Sequence, residues 1–258
     1  MPGNDLTLLM DAAKDAGEIA KRFFRSEPQV WDKPDGAGPV TEADLAVNAM
    51  LRDRLMGARP DYGWLSEESE DDPARSTAER TFVIDPIDGT RSFMEGNATW
   101  AHSLAIVENG VPTAAVVYLP ARDKMYHAET GQGAFHNDAP LFVTGRDTMQ
   151  DATVLAAKPN LFAENWKGGA PPLKRHFRAS LAYRLSLVGE GRFDAMMTLR
   201  PTWEWDIAAG MLIVQEAGGV VTSPDGQELV FNNRKPQVAG VVAAGPRLHD
   251  QITKALLT

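Results

Sequence analysis

Asp85 and Asp88 stand three residues apart after an apolar run, Phe82-Val83-Ile84, with Pro86 between them and Gly89-Thr90 directly behind. Two carboxylates on a backbone stiffened by proline can hold hard cations through oxygen. Gly89 allows a sharp turn that brings backbone N–H groups close to an anion. Asp-Pro and Asp-Gly are also ordinary turn formers, so the string alone leaves a plain turn open. Further acids lie where apolar segments end or helices begin: Glu67, Asp206 and Asp44. Two divalent ions about 3.5–4 Å apart need several carboxylates, one of them bridging. Asp85 is expected to leave its strand first and is the natural bridge. Oxygen-only ligands point to magnesium or manganese, not zinc. Each acid also has a plainer role. Asp206 can cap a helix, Asp44 can serve the start of another, and Glu67-Glu68 can belong to a solvated acidic run with Glu70, Asp71 and Asp72. The five histidines show no paired metal-ligand spacing; His102 and His127 read as strand residues and His176 as loop.

The elements that must position these groups follow from periodicity and turn signals. Leu6, Leu9, Met10, Ala13, Gly17, Ala20 and Phe24 keep helical spacing. Trp31 to Pro39, with two prolines and two glycines, reads as a loop. Thr41 opens a second helix, with Asp44 close to a capping box, and that helix ends near Gly57. Trp64 to Glu68 is a short strand running into acids, and Glu70 to Glu79 is polar and expected to be a mobile loop. Strands His102–Val107 and Thr113–Leu119 flank Asn109-Gly110, a strong hairpin signal. Lys124 to Ala128 continues an antiparallel meander. Beyond residue 146 short strands (Thr153–Ala157, Phe193–Thr198, Val220–Thr222) alternate with helices over Ala179–Gly189 and Asp206–Ala217, the latter stopped by Gly218-Gly219.

The bulk properties narrow the function classes. A chain of 258 residues with 43% hydrophobic and 24% charged residues is an ordinary soluble globular composition. Cysteine is absent, which removes disulfides, thiolate metal sites and cysteine nucleophiles. No apolar run reaches the length of a membrane span. The first helix carries Asp11, Lys14, Asp15 and Glu18, unlike a secretory signal, so a cytoplasmic location is expected. The net charge of −9 argues against nucleic-acid and anionic-membrane surfaces. An anionic substrate would then need bound cations to approach.

Three strings together resemble the signature of the inositol monophosphatase superfamily: Trp64-Leu65-Ser66-Glu67-Glu68-Ser69, Ile84-Asp85-Pro86-Ile87-Asp88-Gly89-Thr90 and Trp205-Asp206-Ile207-Ala208-Ala209-Gly210. They stand in the family's order, and Pro39 to Asp44 and Gly131 to Phe135 extend the resemblance over nearly the whole chain. It implies an α/β (α+β) fold, a layered α-β-α-β-α sandwich of the inositol monophosphatase / fructose-1,6-bisphosphatase type. An N-terminal half, 1–145, would carry the main metal motifs; a C-terminal half, 146–258, would supply Asp206 and substrate contacts. It also implies a lithium-sensitive phosphomonoesterase that uses two to three Mg2+ ions, with Mn2+ as a substitute, and forms a homodimer. By the same resemblance Glu67, Asp85 and the Ile87 carbonyl hold one metal, and Asp85, Asp88 and Asp206 the second. Glu67 and Thr90 position the attacking water, and Asp44 orients the Thr90 hydroxyl. Gly89 and Thr90 receive the phosphate on backbone N–H groups. Two ions would cancel the charge of a phosphate dianion and acidify a water.

The substrate is less defined. Inositol monophosphatases proper would carry a glutamate seven residues before Asp206, where this chain has Leu199. Pro201 to Asp206 resembles the form found in bacterial 3′(2′),5′-bisphosphate nucleotidases. Arg184 stands where those enzymes carry a lysine, in a helix that also brings Ala182 to the substrate. A guanidinium there suits a second phosphate, or is merely a surface residue of that helix. Ala179, replacing a glycine, and the inositol-like Asp85–Phe93 string weigh the other way. A nucleotidase is favoured, with inositol-1-phosphate hydrolysis as the alternative and histidinol phosphate and fructose 1,6-bisphosphate as further substrates. A regulatory RNA- or protein-binding role on the same fold is the competing class.

Overall fold

The computed structural model describes residues 4–33 and 38–257. Six helices are α1 (Asp5–Phe23), α2 (Glu42–Ala58), α3 (Thr90–Met94), α4 (Leu181–Gly189), α5 (Ala208–Glu216) and α6 (Pro246–Ala255). Strands Gly63–Ser66, Arg80–Asp88, Ala101–Glu108, Val111–Leu119, Lys124–Glu129, Gly133–His136 and Ala139–Pro140 form one sheet in that spatial order. Its first pair is parallel and the remainder is an antiparallel meander. A second, five-stranded sheet runs Lys174–His176, Thr153–Ala156, Ala195–Thr198, Val241–Ala244, Val220–Thr222.

Strand alternation sorts side chains into layers. Phe82, Ile84, Leu104 and Val116 pack with Leu9, Ala13, Val47 and Leu51 of α1 and α2. Val83, Ala105 and Val117 face the other way, against α4 and α5. Those helices meet Leu155, Met196, Val241 and Ala243 of the second sheet. The far face of that sheet, Val154, Met197 and Val242, closes on Leu248 and Ile252 of α6. The result is a five-layer α-β-α-β-α sandwich. The central strands of both sheets are covered on both faces, so they read as apolar runs rather than alternating patterns.

Local chemistry explains the well-placed elements. At α2 the capping box is complete: Thr41 Oγ1 accepts from the Asp44 N–H, and Asp44 Oδ2 accepts from the Thr41 N–H at 2.9 Å. The hairpin at Asn109-Gly110 has both residues at positive φ, 51° and 84°, as a type I′ turn requires.

Several expectations are corrected. Trp31–Pro39 is not simply a loop: Val30–Asp32 pairs antiparallel with Pro39–Thr41, while the intervening 34–37 lie outside the described residues. The Glu70–Glu79 segment contains a 3-10 turn, Pro73–Thr77, and is anchored by buried Arg75, which donates to Asp71, Asn232 and the Asn233 carbonyl. Asp85 does not leave its strand first, since the strand runs through Asp88 with a break in register between the two. His176 lies in a strand. Strand Val241–Ala244 and helix α6 were not among the expected elements, although Gly245-Pro246, with proline in the first turn of α6, is a legible helix start.

Candidate active site

The Asp85 and Asp88 strand, the start of α4 and the segment before α5 converge at one end of the sandwich. One carboxylate oxygen each of Asp85, Asp88 and Asp206 lies within 4.8 Å of the others. Burial raises the Asp85 carboxyl well above its usual range, and the charges of Glu67, Asp88 and Asp206 add to it. Asp206 is raised in the same way, by burial and then by Asp88 and Glu67. Asp88 is pushed up to about 6 by burial, opposed by its hydrogen bonds. Three acids pressed together in a largely buried cluster repel one another, and Arg184 beside Asp88 and Arg200 and Lys33 beside Asp206 offset this only in part. An all-oxygen donor set under that strain fits a hard divalent cation.

Each acid is held by identifiable groups. Asp88 Oδ2 accepts from Ser180 Oγ at 2.6 Å and from the Ala182 N–H at 2.7 Å. Asp85 Oδ1 accepts from the Ile87 N–H at 3.0 Å. Asp206 precedes α5 without capping it, since that helix has no side-chain cap. The plainer reading of Asp206 as a cap therefore fails. Glu67 is fixed beside Asp85 by its backbone, Glu67 N–H to the Ile84 carbonyl at 3.2 Å. Its carboxylate is paired with Lys33, whose Nζ lies 2.6 Å from Glu67 and 2.6 Å from Glu68. Burial alone would lower Lys33, but the two glutamates hold it above its usual value. Burial and the charge of Glu67 push Glu68 up to about 7.

Thr90 Oγ1 lies 3.3 Å from Asp44 Oδ1 and 3.2 Å from the Ile87 carbonyl. Asp44 is itself pushed up to about 6 by burial, against the pull of the Thr41 hydrogen bonds. Gly89, at φ 101°, turns the strand into α3. A Cβ there would stand 3.4 Å from the Thr99 carbonyl and 3.6 Å from the Ser180 nitrogen, so glycine fits both the turn and the space.

A cleft of about 1020 Å³ opens over these groups, lined by Glu67, Asp88, Gly89, Thr90 and Asp206. Its remaining walls carry Arg91, Arg122, Arg178, Arg184, Arg192 and Arg200. Arg184 is no surface residue. It is 6% exposed, and burial lowers it to about 10, opposed by Asp88. Its Nε donates to the Arg178 carbonyl at 2.6 Å and its guanidinium covers Phe177. Ala182 does not reach the cleft: it is fully buried, and its N–H serves Asp88 instead of a substrate. Leu199 packs against the core beneath α6. Sequence reasoning missed Ser180, though a serine before an apolar helix is a legible N-cap, and here it also grips Asp88. Lys33 and the other arginines carried no local signal.

The inositol monophosphatase family model matches residues 4–257. The chain is 35% identical over 262 residues to the inositol-1-monophosphatase of Rhizobium meliloti, covering 97% of this chain and 94% of that one. It is 34% identical over 235 residues to a putative Nus factor SuhB of Neisseria meningitidis, 84% of each chain being covered. The solved Thermotoga maritima IMPase superposes with a TM-score of 0.82 at 29% identity, covering 96% of this chain and 95% of the other. With the motifs, the layered fold and the convergent carboxylates, the chain belongs to the inositol monophosphatase family and is a phosphomonoester hydrolase.

Proposed function

We propose a Mg2+-dependent phosphomonoesterase for a small metabolite that carries a second anionic group, a 3′(2′),5′-bisphosphate nucleotide being the leading case. The observation that carries this reading is the division of one cleft into an acidic end, Asp88 and Asp206 with Glu67, and arginine-bearing walls. Asp85, Asp88, Asp206, Glu67 and the Ile87 carbonyl would hold two to three ions. When bound, such ions supply Lewis acidity and offset the charge of a phosphate dianion. Asp44 draws the Thr90 hydroxyl proton toward itself, leaving the oxygen lone pairs to accept from an attacking water. Gly89 and Thr90 offer N–H groups to the phosphate at the start of α3. Arg184, with Arg178 and Arg200 nearby on the same walls, suits the second anionic group. Support by Mn2+, lithium sensitivity, a homodimer, a cytoplasmic location and a division of roles near residue 145 belong to the same reading.

A second reading, inositol-1-phosphate hydrolysis, is favoured by the name of the Rhizobium relative. Against it, Leu199 faces a core and offers no polar contact to a substrate hydroxyl. A regulatory role is favoured only by the name of the Neisseria relative. It would appear as RNA binding that survives raised salt.

The test is phosphate release with Mg2+ from 3′-phosphoadenosine 5′-phosphate, inositol 1-phosphate, fructose 1,6-bisphosphate and histidinol phosphate. The adenosine bisphosphate should show the highest kcat/KM. Arg184→Met should raise its KM by roughly tenfold or more, the worth of one charge-assisted contact, and leave that for inositol 1-phosphate nearly unchanged. Preference for inositol 1-phosphate would replace the leading reading with the second. Release from none would overturn both.

A further inference from the structure

We infer that His102 and Ser103 are positioning residues that set the separation of the two metal-bearing segments from opposite faces of one strand. The inference rests on the metal reading above and concerns how the carboxylates are kept together. Asp85 and Asp88 lie on one segment and Asp206 on another far along the chain, and nothing in their own charges draws them close. The strand Ala101–Glu108 runs between the two. Its register against the Asp85 strand is Asp85↔Ser103 and then Asp88↔Ala101, so Pro86 and Ile87 together face His102. Proline has no N–H to give, and the ladder breaks there.

The His102 ring takes over at the break: its Nδ1 meets the Pro86 carbonyl. A carbonyl only accepts, so Nδ1 carries the proton. The ring is fully buried beside Trp100 and Tyr118. Its Nε2 has no hydrogen-bond partner among the described residues. A buried nitrogen left unpaired costs stability, so packing alone does not account for a histidine here. The next residue, Ser103, points to the other side of the sheet and is also fully buried. Its Oγ donates to the Trp205 carbonyl at 2.8 Å, one residue before Asp206. Glu204 braces the same segment from behind, accepting from the Asn232 and Asn233 N–H groups at 2.6 and 3.0 Å. Two adjacent side chains thus tie the Pro86 and Trp205 carbonyls to a single strand. The Trp205 carbonyl joins directly to Asp206, and Pro86 stands between Asp85 and Ile87.

The test is Mn2+ titration followed by electron paramagnetic resonance on the full chain, with melting temperature measured in parallel. Ser103→Ala and His102→Leu should each weaken Mn2+ binding by about tenfold or more, the usual effect of losing a group that orients a ligand. His102→Asn keeps a donor near the Nδ1 position and should recover most of the affinity. Ile252→Ala, a cavity in the separate core beneath α6, should lower the melting temperature and leave Mn2+ affinity intact. If Ser103→Ala and His102→Leu bind Mn2+ within twofold of the parent, the inference is overturned. Should His102→Leu not fold, Ser103→Ala decides alone. A parent chain that binds no Mn2+ at millimolar concentration overturns the metal reading itself, a result distinct from unaltered variants of a binding parent.

Discussion

At the scale of single residues, Asp85 is the group whose loss should divide stability from function. Its carboxyl is 2% exposed and surrounded by Glu67, Asp88 and Asp206. Asn keeps an oxygen for the Ile87 N–H and removes a charge that has no counter-ion in the metal-free chain. Metal-free Asp85→Asn is therefore expected to melt at a higher temperature than the metal-free parent at pH 7.5. Mg2+ should raise the melting temperature of the parent only. Turnover should fall by on the order of 10³, about 4 kcal/mol of transition-state stabilisation. Scanning fluorimetry with and without Mg2+ checks this, and an equal Mg2+ shift in both proteins would remove Asp85 from the ligand set. Glu68→Gln should do much less to turnover. Its carboxylate is held by Lys33 and lies outside the cluster of three acids.

At the scale of elements, the α4–α5 pair brings Asp206 to Asp88. Ser180 and Ala182 at the start of α4 hold Asp88, and α5 follows directly on Asp206. The two helices approach closely at Gly210, where a Cβ would stand 2.5 Å from Leu185 Cβ. Gly210→Ala should therefore destabilise despite the better helix propensity of alanine. Overpacking costs about 1–3 kcal/mol and alanine returns about 1. The expected result is a melting temperature lower by a few degrees, about 2–4 °C per kcal/mol for a chain of this size. An unchanged or raised midpoint in thermal unfolding would mean the helices absorb the methyl group. The same elements show what local pattern can reveal. Thr41 and Asp44 announce the α2 capping box, and Asn109-Gly110 announces the hairpin. Both are signals within a few residues. Strand Lys174–His176, by contrast, is exposed and paired on one edge only, so no apolar pattern marked it.

At the scale of the whole molecule, the buried acids couple stability to pH. Asp44 and Asp88 titrate near 6 and Glu68 near 7 in the folded metal-free chain, all above their unfolded values. A raised folded pKa gives stability that is full below the unfolded pKa and is lost as pH rises through the folded one. His102, lowered to about 4 by burial, works the other way between about pH 4 and 6.5, where only the unfolded ring is charged, and it offsets one of the three acids. Asp44, Asp88 and Glu68 should thus cost the metal-free chain stability between about pH 4 and 7, and Mg2+ should remove most of that loss. Melting curves at pH 5, 6 and 7 test it; a flat or rising metal-free profile would count against the buried acid cluster. The amino-acid sequence by itself determined the types of most elements, the three acid motifs and the family they resemble, because periodicity, capping and turn chemistry act over a few residues. Only the tertiary structure decided that Asp206 meets Asp85 and Asp88, that Arg184 is buried in the cleft wall and that Leu199 turns into a core. It also decided that Ala182 supports Asp88, and that His102 and Ser103 grip the two segments. Those outcomes depend on strand pairing and layer packing between distant parts of the chain, where the partner of a side chain is chosen by the fold and not by its neighbours in sequence.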